Sequence, residues 1–293
     1  MNIQWYPGHM TKARRMMQEN IRLIDLVIEL VDARAPMSSR NPDIDALAQG
    51  KARLILLNKA DLASERWNDA WAEAFRAQGF FVVKLDSRAK GGMKEVQSVI
   101  AEACREKTER DRRRGIINRP VRAMVVGIPN VGKSTFINSF AGRACAKTGN
   151  RPGVTKGAQW IRLNRQVELL DTPGILWPKF DDQQVGVRLS MLGSVNDEIL
   201  NLEELCAELG AFLAEHFPKA VEERYGVRPG AGREKEELLT EIAKVRGCLQ
   251  KGGEPDTARA AGLFLDDFRS GRLGRITLEF PKAKDEERQD GEL

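Results

Sequence analysis

The chain of 293 residues has 42% hydrophobic and 30% charged side chains, a formal net charge of +5 and a pI of about 9.0. The length predicts about two domains, and this balance excludes a chain that is disordered throughout. The basic charge favours polyanion partners such as RNA, although an enzyme without such a partner can carry the same charge.

Cysteine usage and the apolar runs indicate the compartment. The four cysteines stand singly, without a CxxC pair, which argues against a zinc or redox site and fits a reducing environment. The segment MNIQWYPGHMTKARR lacks the apolar stretch of a signal peptide, and no apolar run is long enough to cross a bilayer. We therefore expect a cytoplasmic protein without a membrane partner.

The first part of the chain alternates short apolar runs with helical patterns. We predict helices over residues 11–24, 43–49, 64–78 and 93–104, and strands over 26–31, 53–57 and 80–85. This alternation predicts βαβ units and a mostly parallel sheet. The basic stretch 105–114 follows, and we interpret it as a solvated helix end rather than a dedicated RNA contact.

The second part begins with a strand, a Gly-rich loop and a helix. We predict a strand over Val121–Gly127, a helix over Lys133–Ala141, and paired strands over 159–163 and Val167–Asp171 that turn at Asn164-Arg165. From about residue 181 only amphipathic helices are expected, over 196–217, 235–246 and 257–270. The change of character predicts two domains, residues 1–178 and 179–293.

The segment Gly127-Ile-Pro-Asn-Val-Gly132-Lys133-Ser134 matches the P-loop pattern GxxxxGK[ST] between a predicted strand and a predicted helix. Backbone N–H groups of such a loop surround phosphate oxygens, and the following helix adds its positive end. Lys133 would contact the β- and γ-phosphates and act in catalysis, and Ser134 would hold Mg²⁺. The predicted nucleotide contacts here are Asn130, Val131, Gly132, Lys133, Ser134 and Thr135.

The segment Asn58-Lys59-Ala60-Asp61 follows a predicted strand and matches the guanine-recognition pattern NKxD. The Asp61 carboxylate can accept hydrogen bonds from N1–H and the N2 amino group of guanine, whereas adenine would leave it unpaired. Asn58 would hold the loop and Lys59 would cover the base. The segment around Ser87 and Arg88 follows the next strand and would support the base.

Asp171-Thr-Pro-Gly174 follows the strand that ends at Asp171. Asp171 would hold Mg²⁺ through water, and the Gly174 N–H would meet the γ-phosphate. In the loop before it, Thr155 is the candidate hydroxyl for Mg²⁺, and Thr148 competes with it. The sequence therefore predicts GTP or GDP with Mg²⁺ as the bound group.

The order of these motifs differs from ordinary Ras-like domains, in which the P-loop comes first. Here NKAD at 58–61 and the Ser87 loop precede the P-loop at 127–134, and DTPG at 171–174 comes last. The same sheet forms if the usual chain ends of a Ras-like domain are joined and new chain ends are opened after the DxxG motif (switch II). The sequence predicts an α/β fold: a circularly permuted Ras-like P-loop GTPase domain, followed by a small all-α domain.

These segments resemble the YlqF-like family of circularly permuted GTPases. The resemblance covers nearly the whole chain and includes WYPGHM at 5–10, VDAR at 31–34, RPGVTKG at 151–157, the continuation of DTPG to Pro178, and DDFRSGRLG at 266–274. It implies a GTPase that binds the large ribosomal subunit, its rRNA and proteins, late in assembly. It also implies a helical C-terminal domain that contacts rRNA.

Two matching residues carry further implications. Ile175 stands where Ras-like enzymes have a water-positioning Gln, so the resemblance suggests His9 as the group that orients or polarises water; the alternative is a structural histidine. GTPases with Asn at the place of Asn130 often use K⁺ to neutralise phosphate charge. We therefore expect K⁺ as a further cofactor, unless Asn130 only shapes the loop.

Basic residues in the C-terminal part are a candidate rRNA footprint, or equally a solvated surface rich in charge pairs. They are Arg188, Lys219, Arg224, Arg228, Arg233, Lys235, Lys244, Arg246 and Lys251. Three alternatives to the assembly GTPase stay open: a permuted GTPase with another RNA or protein client, a nucleotide-dependent binding module without turnover, and a P-loop ATPase, which Asp61 opposes.

Overall fold

A computed structural model describes residues 8–89, 91–146, 159–177, 180, 182–228 and 237–281, with only the backbone described for residues 8–10. Its strands are β1 (Leu26–Asp32), β2 (Ala52–Asn58), β3 (Phe81–Leu85), β4 (Val121–Gly127), β5 (Gln159–Arg162) and β6 (Val167–Asp171). Its helices up to β6 are α1 (Gly8–Asn20), α2 (Asp43–Leu47), α3 (Glu65–Ala77), α4 (Met93–Ala103), α5 (Arg105–Arg113) and α6 (Lys133–Ala141). The helices after β6 are α7 (Gln183–Met191), α8 (Leu202–His216), α9 (Pro218–Tyr225), α10 (Glu237–Val245) and α11 (Thr257–Arg269).

The six strands form one sheet in the order β3-β2-β1-β4-β6-β5, and every neighbouring pair is parallel except β5 with β6. The β1 sequence LVIELVD, including its charged Glu29 and Asp32, is buried along its whole length because helices cover both faces of the sheet. The P-loop strand β4 lies beside β1, although β2 and β3 come between them in the chain. This arrangement confirms the predicted α/β class and the mostly parallel sheet.

The strand predictions are confirmed to within one or two residues. Among the helices, α7 and α9 have no predicted counterpart, and residues 21–23 of the helix predicted over 11–24 form a 3₁₀ turn. The helix predicted over 196–217 is confirmed by α8 (Leu202–His216) but starts later, because Asn196 caps a 3₁₀ turn and Asn201 separately caps α8. The basic stretch 105–114, predicted as a solvated helix end, forms a separate helix, α5, which has no buried residue and follows α4 directly. Among the described residues, no helix is long and apolar enough to cross a membrane.

The helices after β6 pack on one another and on the sheet through a shared core. Leu205, Leu209 and Leu213 of α8 and Ile242 of α10 are fully buried in the same apolar cluster as β1 and β4. A buried apolar stripe at this spacing is typical of an amphipathic helix that packs on a core. The division near residue 180 stays a prediction.

Residues 272–280, which we call the C-terminal strap, follow α11 and run back along the sheet half of the molecule. The Ile276 N–H donates to the Leu62 carbonyl at 3.0 Å, and the Leu278 N–H donates to the Arg34 carbonyl at 2.6 Å. The Trp71 indole N–H donates to the Glu279 carbonyl at 2.9 Å. The strap therefore joins the end of the chain to the segments that follow β1 and β2.

Candidate functional site

Four parallel strands bring their carboxyl ends to one edge of the sheet. Asp32 pairs in register with Asn58, Leu30 with Gly127, and Val125 with Asp171. The polar residues that end β1, β2 and β6 therefore surround the loop that follows β4. Edges of this kind are where open α/β sheets bind nucleotides.

The loop from Gly127 to α6 has the backbone that close contact with phosphate requires. Gly132 has φ +99°, and a Cβ built there would lie 2.4 Å from Nδ2 of Asn58, so only glycine fits between the two loops. α6 begins at Lys133, with Ser134 and Thr135 half-buried in its first turn. The predicted phosphate loop and the predicted helix start thus coincide with the structure.

Lys133 and Asp171 form the charged centre of this edge. The Lys133 Nζ donates to the carbonyls of Gly127 and Ile128, both at 3.2 Å, and the side chain is buried. Burial lowers the pKa of Lys133 to about 8, against the opposing charge of Asp171. Burial raises the pKa of Asp171 to about 6, although Lys133 counteracts it. Both groups are desolvated, so an anion bound near Lys133 and a cation bound near Asp171 would stabilise their charged forms.

Gly174 lies directly against the P-loop. A Cβ built at this position would be 2.9 Å from the Lys133 Nζ and 2.9 Å from both N and Cα of Pro129. The backbone after β6 therefore approaches the phosphate loop as closely as glycine alone allows. This placement fits the predicted contact between Gly174 and a terminal phosphate.

We expect Gly174→Ala to weaken GTP binding about tenfold while changing GDP binding much less. The added methyl must displace the loop by overpacking worth about 1–3 kcal/mol, and only GTP has the phosphate that this loop would meet. Gly262→Ala is the matched control, because a Cβ at Gly262 meets nothing within 4 Å. Fluorescent GTP and GDP titrations measure the ratio, and an equal loss for both nucleotides would contradict the assignment.

The NKAD segment after β2 is bonded to the P-loop. The Asn58 Nδ2 donates to the Val131 carbonyl at 2.7 Å, and the Lys59 Nζ donates to the Asn130 carbonyl at 2.9 Å. Asn58 also accepts hydrogen bonds from the Ser87 N–H at 3.0 Å and the Ser87 hydroxyl at 2.7 Å. The structure thus brings the three predicted segments together, and Ser87 acts on Asn58.

Asp61 has one oxygen engaged and one free. Its Oδ2 pairs with Arg88, which also pairs with Asp86 at 3.2 Å, while its buried Oδ1 has no partner among the described residues. The Oδ1 of Asp171 is likewise buried without a partner there. The unpaired acceptor of Asp61 lies in the NKAD segment, where it fits a guanine base. The unpaired acceptor of Asp171 lies beside the P-loop, where it fits a hydrated Mg²⁺.

Sequence reasoning missed the roles of Asp32 and Arg34 in this site. Arg34 is 1% exposed and pairs with both oxygens of Asp32, at 2.9 Å and 2.8 Å, and Asp32 also pairs with the Lys59 Nζ at 2.8 Å. Burial alone would raise the pKa of Asp32, but Arg34 and Lys59 together hold it well below its usual range. The sequence signal that could have indicated this role was an Asp at the end of β1, the strand that pairs with the strand before NKAD.

Arg34 also connects the NKAD segment, through Asp32 and Lys59, with the C-terminal helices. Its guanidinium donates to the Arg269 carbonyl at 3.3 Å and lies 5.2 Å from the ring centroid of Phe268, both at the end of α11. Across the site, the Asn130 Nδ2 donates to the Gly193 carbonyl at 2.6 Å, just after α7. The P-loop therefore contacts the segment after α7 directly, and the NKAD segment is connected to α11 through Lys59, Asp32 and Arg34.

Glu279 of the strap fastens the loop after β1. Its carboxylate accepts from the Met37 N–H at 2.7 Å and from the N–H and hydroxyl of Ser38, and it pairs with Arg188 of α7 at 3.2 Å.

Ile175 is buried, and its carbonyl accepts from the Asn41 Nδ2 at 3.4 Å. A buried Ile175 cannot orient water, as the sequence predicted. Thr148, Thr155 and the His9 side chain lie outside the described residues.

Comparisons with known proteins identify the group to which this architecture belongs. The family described as 50S ribosome-binding GTPase matches residues 122–223. Ribosome biogenesis GTPase A of Bacillus cereus is 47% identical over 100% of this chain and 98% of the relative, and that of Thermotoga maritima is 34% identical over 96% and 95%. The crystal structure of GNP-bound YlqF from T. maritima has a TM-score of 0.64 and 30% identity, and covers 92% of this chain and 99% of that one.

A mostly parallel sheet with a P-loop, a permuted NKxD motif and a DxxG motif at one edge defines a GTP-hydrolysing P-loop protein. The similarity over the full length adds the particular group: the chain belongs to the ribosome biogenesis GTPase A family. It is therefore a GTPase that acts in ribosome biogenesis and binds GTP and GDP. Mg²⁺ is the metal that such GTPases typically use.

Proposed function

We propose that this GTPase binds the large ribosomal subunit late in its assembly and leaves it after GTP hydrolysis. The observation that carries the proposal is the bonding of the nucleotide site to the C-terminal helices, directly from Asn130 to Gly193 and through Lys59, Asp32 and Arg34 to the end of α11. A ligand that moves either loop shifts these contacts, so nucleotide state can change the surface presented to a subunit. The free thiols of the four cysteines suit the cytoplasm, where we place this activity.

The residues act on GTP in defined ways under this proposal. Asp61 accepts from the guanine edge, Lys59 covers the base, and Asn58, fixed by Ser87, holds the loop to the P-loop. Lys133 and the N–H groups from Asn130 to Thr135 neutralise the phosphates. Ser134, Asp171 and Thr155 would hold Mg²⁺, which supplies charge neutralisation between the phosphates. Thr155 and Gly174 respond to the γ-phosphate.

Co-sedimentation tests the partner. We expect the protein to pellet with purified large subunits in the presence of a non-hydrolysable GTP analogue and to remain in the supernatant with GDP. Small subunits serve as the matched control particle. Equal pelleting with large and small subunits would contradict specific binding to the large subunit. Equal pelleting with GDP and with the GTP analogue would contradict release after hydrolysis.

We propose that His9 orients the attacking water, because Ile175 is buried and cannot. His9→Ala should lower subunit-stimulated GTP hydrolysis by about 100-fold or more, the usual contribution of a general acid or base, and leave GDP affinity unchanged. The only other histidine, His216 of α8, packs on Phe212 and Phe280 and gives the control variant His216→Ala. Wild-type stimulated turnover in His9→Ala would remove this role.

We infer that K⁺ accelerates hydrolysis at the phosphates beside Asn130. The Asn130 backbone is left-handed, at φ 59°, and its amide is held by Gly193, so the side chain is fixed at the rim of the P-loop. GTP turnover should be several-fold faster in KCl than in NaCl at equal ionic strength. Asn130→Asp tests whether the side chain mediates the effect. Equal rates in the two salts would mean that Asn130 only shapes the loop.

A further inference from the structure

An arginine-lined groove lies at the amino end of β4, opposite the carboxyl ends of the strands where the nucleotide site lies. It encloses about 730 Å³ between α5, the segment that leads into β4, and the turn between β5 and β6. β4 begins at this groove with Val121 and ends at the P-loop with Gly127. At about 3.3 Å per residue, the two sites are about 20 Å apart.

The groove carries a strong excess of positive charge. Its arginines are Arg105 and Arg112 on α5, Arg119 before β4, and Arg162 and Arg165 on the β5–β6 hairpin. The only acidic side chains among its lining residues are Glu109 and Asp111, so five positive charges against two negative ones leave a net charge of +3. Asp111 is already paired with Lys107 at 3.2 Å and with Arg119 at 3.8 Å.

Four of these guanidinium groups have no partner within the parts of the chain that the structure describes. The side chains of Arg105, Arg112, Arg162 and Arg165 are exposed and form no ion pair or hydrogen bond there. Arg105 and Arg112 lie two helical turns apart, on the same face of α5. The hairpin arginines come from a region about 50 residues later in the chain, which is why the basic stretch 105–114 alone resembled a solvated helix end.

Basic residues of the C-terminal helices are engaged differently. Arg188 pairs with Glu279 at 3.2 Å, Arg224 with Asp267 at 2.7 Å, and Arg228 with Glu222 at 2.8 Å. Part of the predicted C-terminal footprint is therefore used inside the protein. The groove instead presents guanidinium groups without partners among the described residues, and the paired N–H donors of a guanidinium match the oxygens of a phosphate group.

We propose that this groove binds the phosphate backbone of RNA and gives the GTPase an RNA contact apart from its C-terminal helices. The proposal rests on the proposed function, since rRNA is the RNA that the protein meets on a large subunit. Charge complementarity decides for RNA: four arginines without partners among the described residues face the groove from two walls, and Asp111 is already neutralised. Ile116 and Ile117, 42% and 77% exposed, line the same groove and can contact ribose.

The test compares two variants of equal net charge. Arg112→Gln/Arg165→Gln removes two groove arginines, and Arg110→Gln/Arg113→Gln removes two exposed arginines of α5 that do not line the groove. The probe is a labelled RNA duplex of about 16 base pairs, titrated from about 50 to 200 mM KCl. Thermal unfolding and GDP affinity should match wild type in both variants, because the changes are on the surface and far from the nucleotide.

We expect the groove variant to bind the duplex about tenfold more weakly at low salt, and the slope of log affinity against log salt to fall by about one per arginine removed. The control variant should keep the wild-type slope. Equal slopes for both variants would overturn the proposal. If the groove variant binds the duplex like wild type but no longer pellets with large subunits, the groove contacts protein and the RNA assignment is wrong.

The two proposals can fail separately. If wild-type protein pellets with large subunits and the groove variant matches it in pelleting and in duplex binding, the groove proposal alone fails. If wild-type protein neither pellets nor binds the duplex, the proposed function fails and the groove proposal fails with it.

Discussion

Asp61→Asn should lower the affinity for GTP and GDP by at least about 100-fold, because two hydrogen bonds to a charged acceptor contribute about 1.5–3 kcal/mol each. The same substitution should create affinity for XTP. Xanthine carries a carbonyl where guanine carries its amino group, and the side-chain amide introduced by the substitution can donate to that carbonyl. The buried Oδ1 of Asp61, without a partner among the described residues, is the acceptor on which this expectation depends.

Asp86→Asn is the matched control for that experiment. Asp86 makes the same kind of ion pair with Arg88, at 3.2 Å, and its Oδ1 accepts from the Arg88 N–H at 2.9 Å, but it has no assigned contact with the base. Competition titrations with GTP, XTP and ATP against a fluorescent GDP give the three affinities. Wild-type preference for GTP in Asp61→Asn would place guanine recognition elsewhere.

Arg34→Met should destabilise the protein by about 3–5 kcal/mol, the usual cost of removing one partner from a buried ion pair. Arg34 is 1% exposed, and its loss leaves Asp32 with Lys59 as its remaining cation and frees the end of α11. Because the folded-state pKa of Asp32 lies below its unfolded value, this stabilisation is present at neutral pH and is lost as pH falls below about 4.

Denaturant unfolding at pH 7 measures that loss. Arg15→Met is the control, since the Arg15–Glu19 pair has side chains 81% and 62% exposed and should contribute little. The double variant Arg34→Met/Asp32→Asn should be less destabilised than the sum of its single variants, because the uncompensated carboxylate is gone. Strict additivity would show that the two residues act independently.

The sheet and the nucleotide edge could be predicted from sequence because their signals are local. Apolar runs between polar stops located the strands, and Val121–Gly127, Lys133–Ala141 and Val167–Asp171 have the predicted bounds. Parallel strands that end at one edge then brought Asn58 to the P-loop. The helix predicted over 196–217 was placed with too early a start, although Asn201, with Glu204 three residues later, is itself a helix-start signal.

The contacts that connect the site with the helical part depend on residues distant in sequence. Arg34 bonds to the carbonyl of Arg269, 235 positions away, and Glu279 bonds to Ser38, 241 positions away. No periodicity or motif encodes such pairs in a single sequence. The arginine groove has the same origin, because only the folded hairpin brings Arg162 and Arg165 opposite α5.

The most direct measurement is single-turnover GTP hydrolysis by the wild-type protein with and without purified large subunits. We predict slow hydrolysis by the protein alone and a large acceleration by large subunits, with small subunits having no effect. A rate that is the same under all three conditions would contradict a GTPase that reads the state of the large subunit.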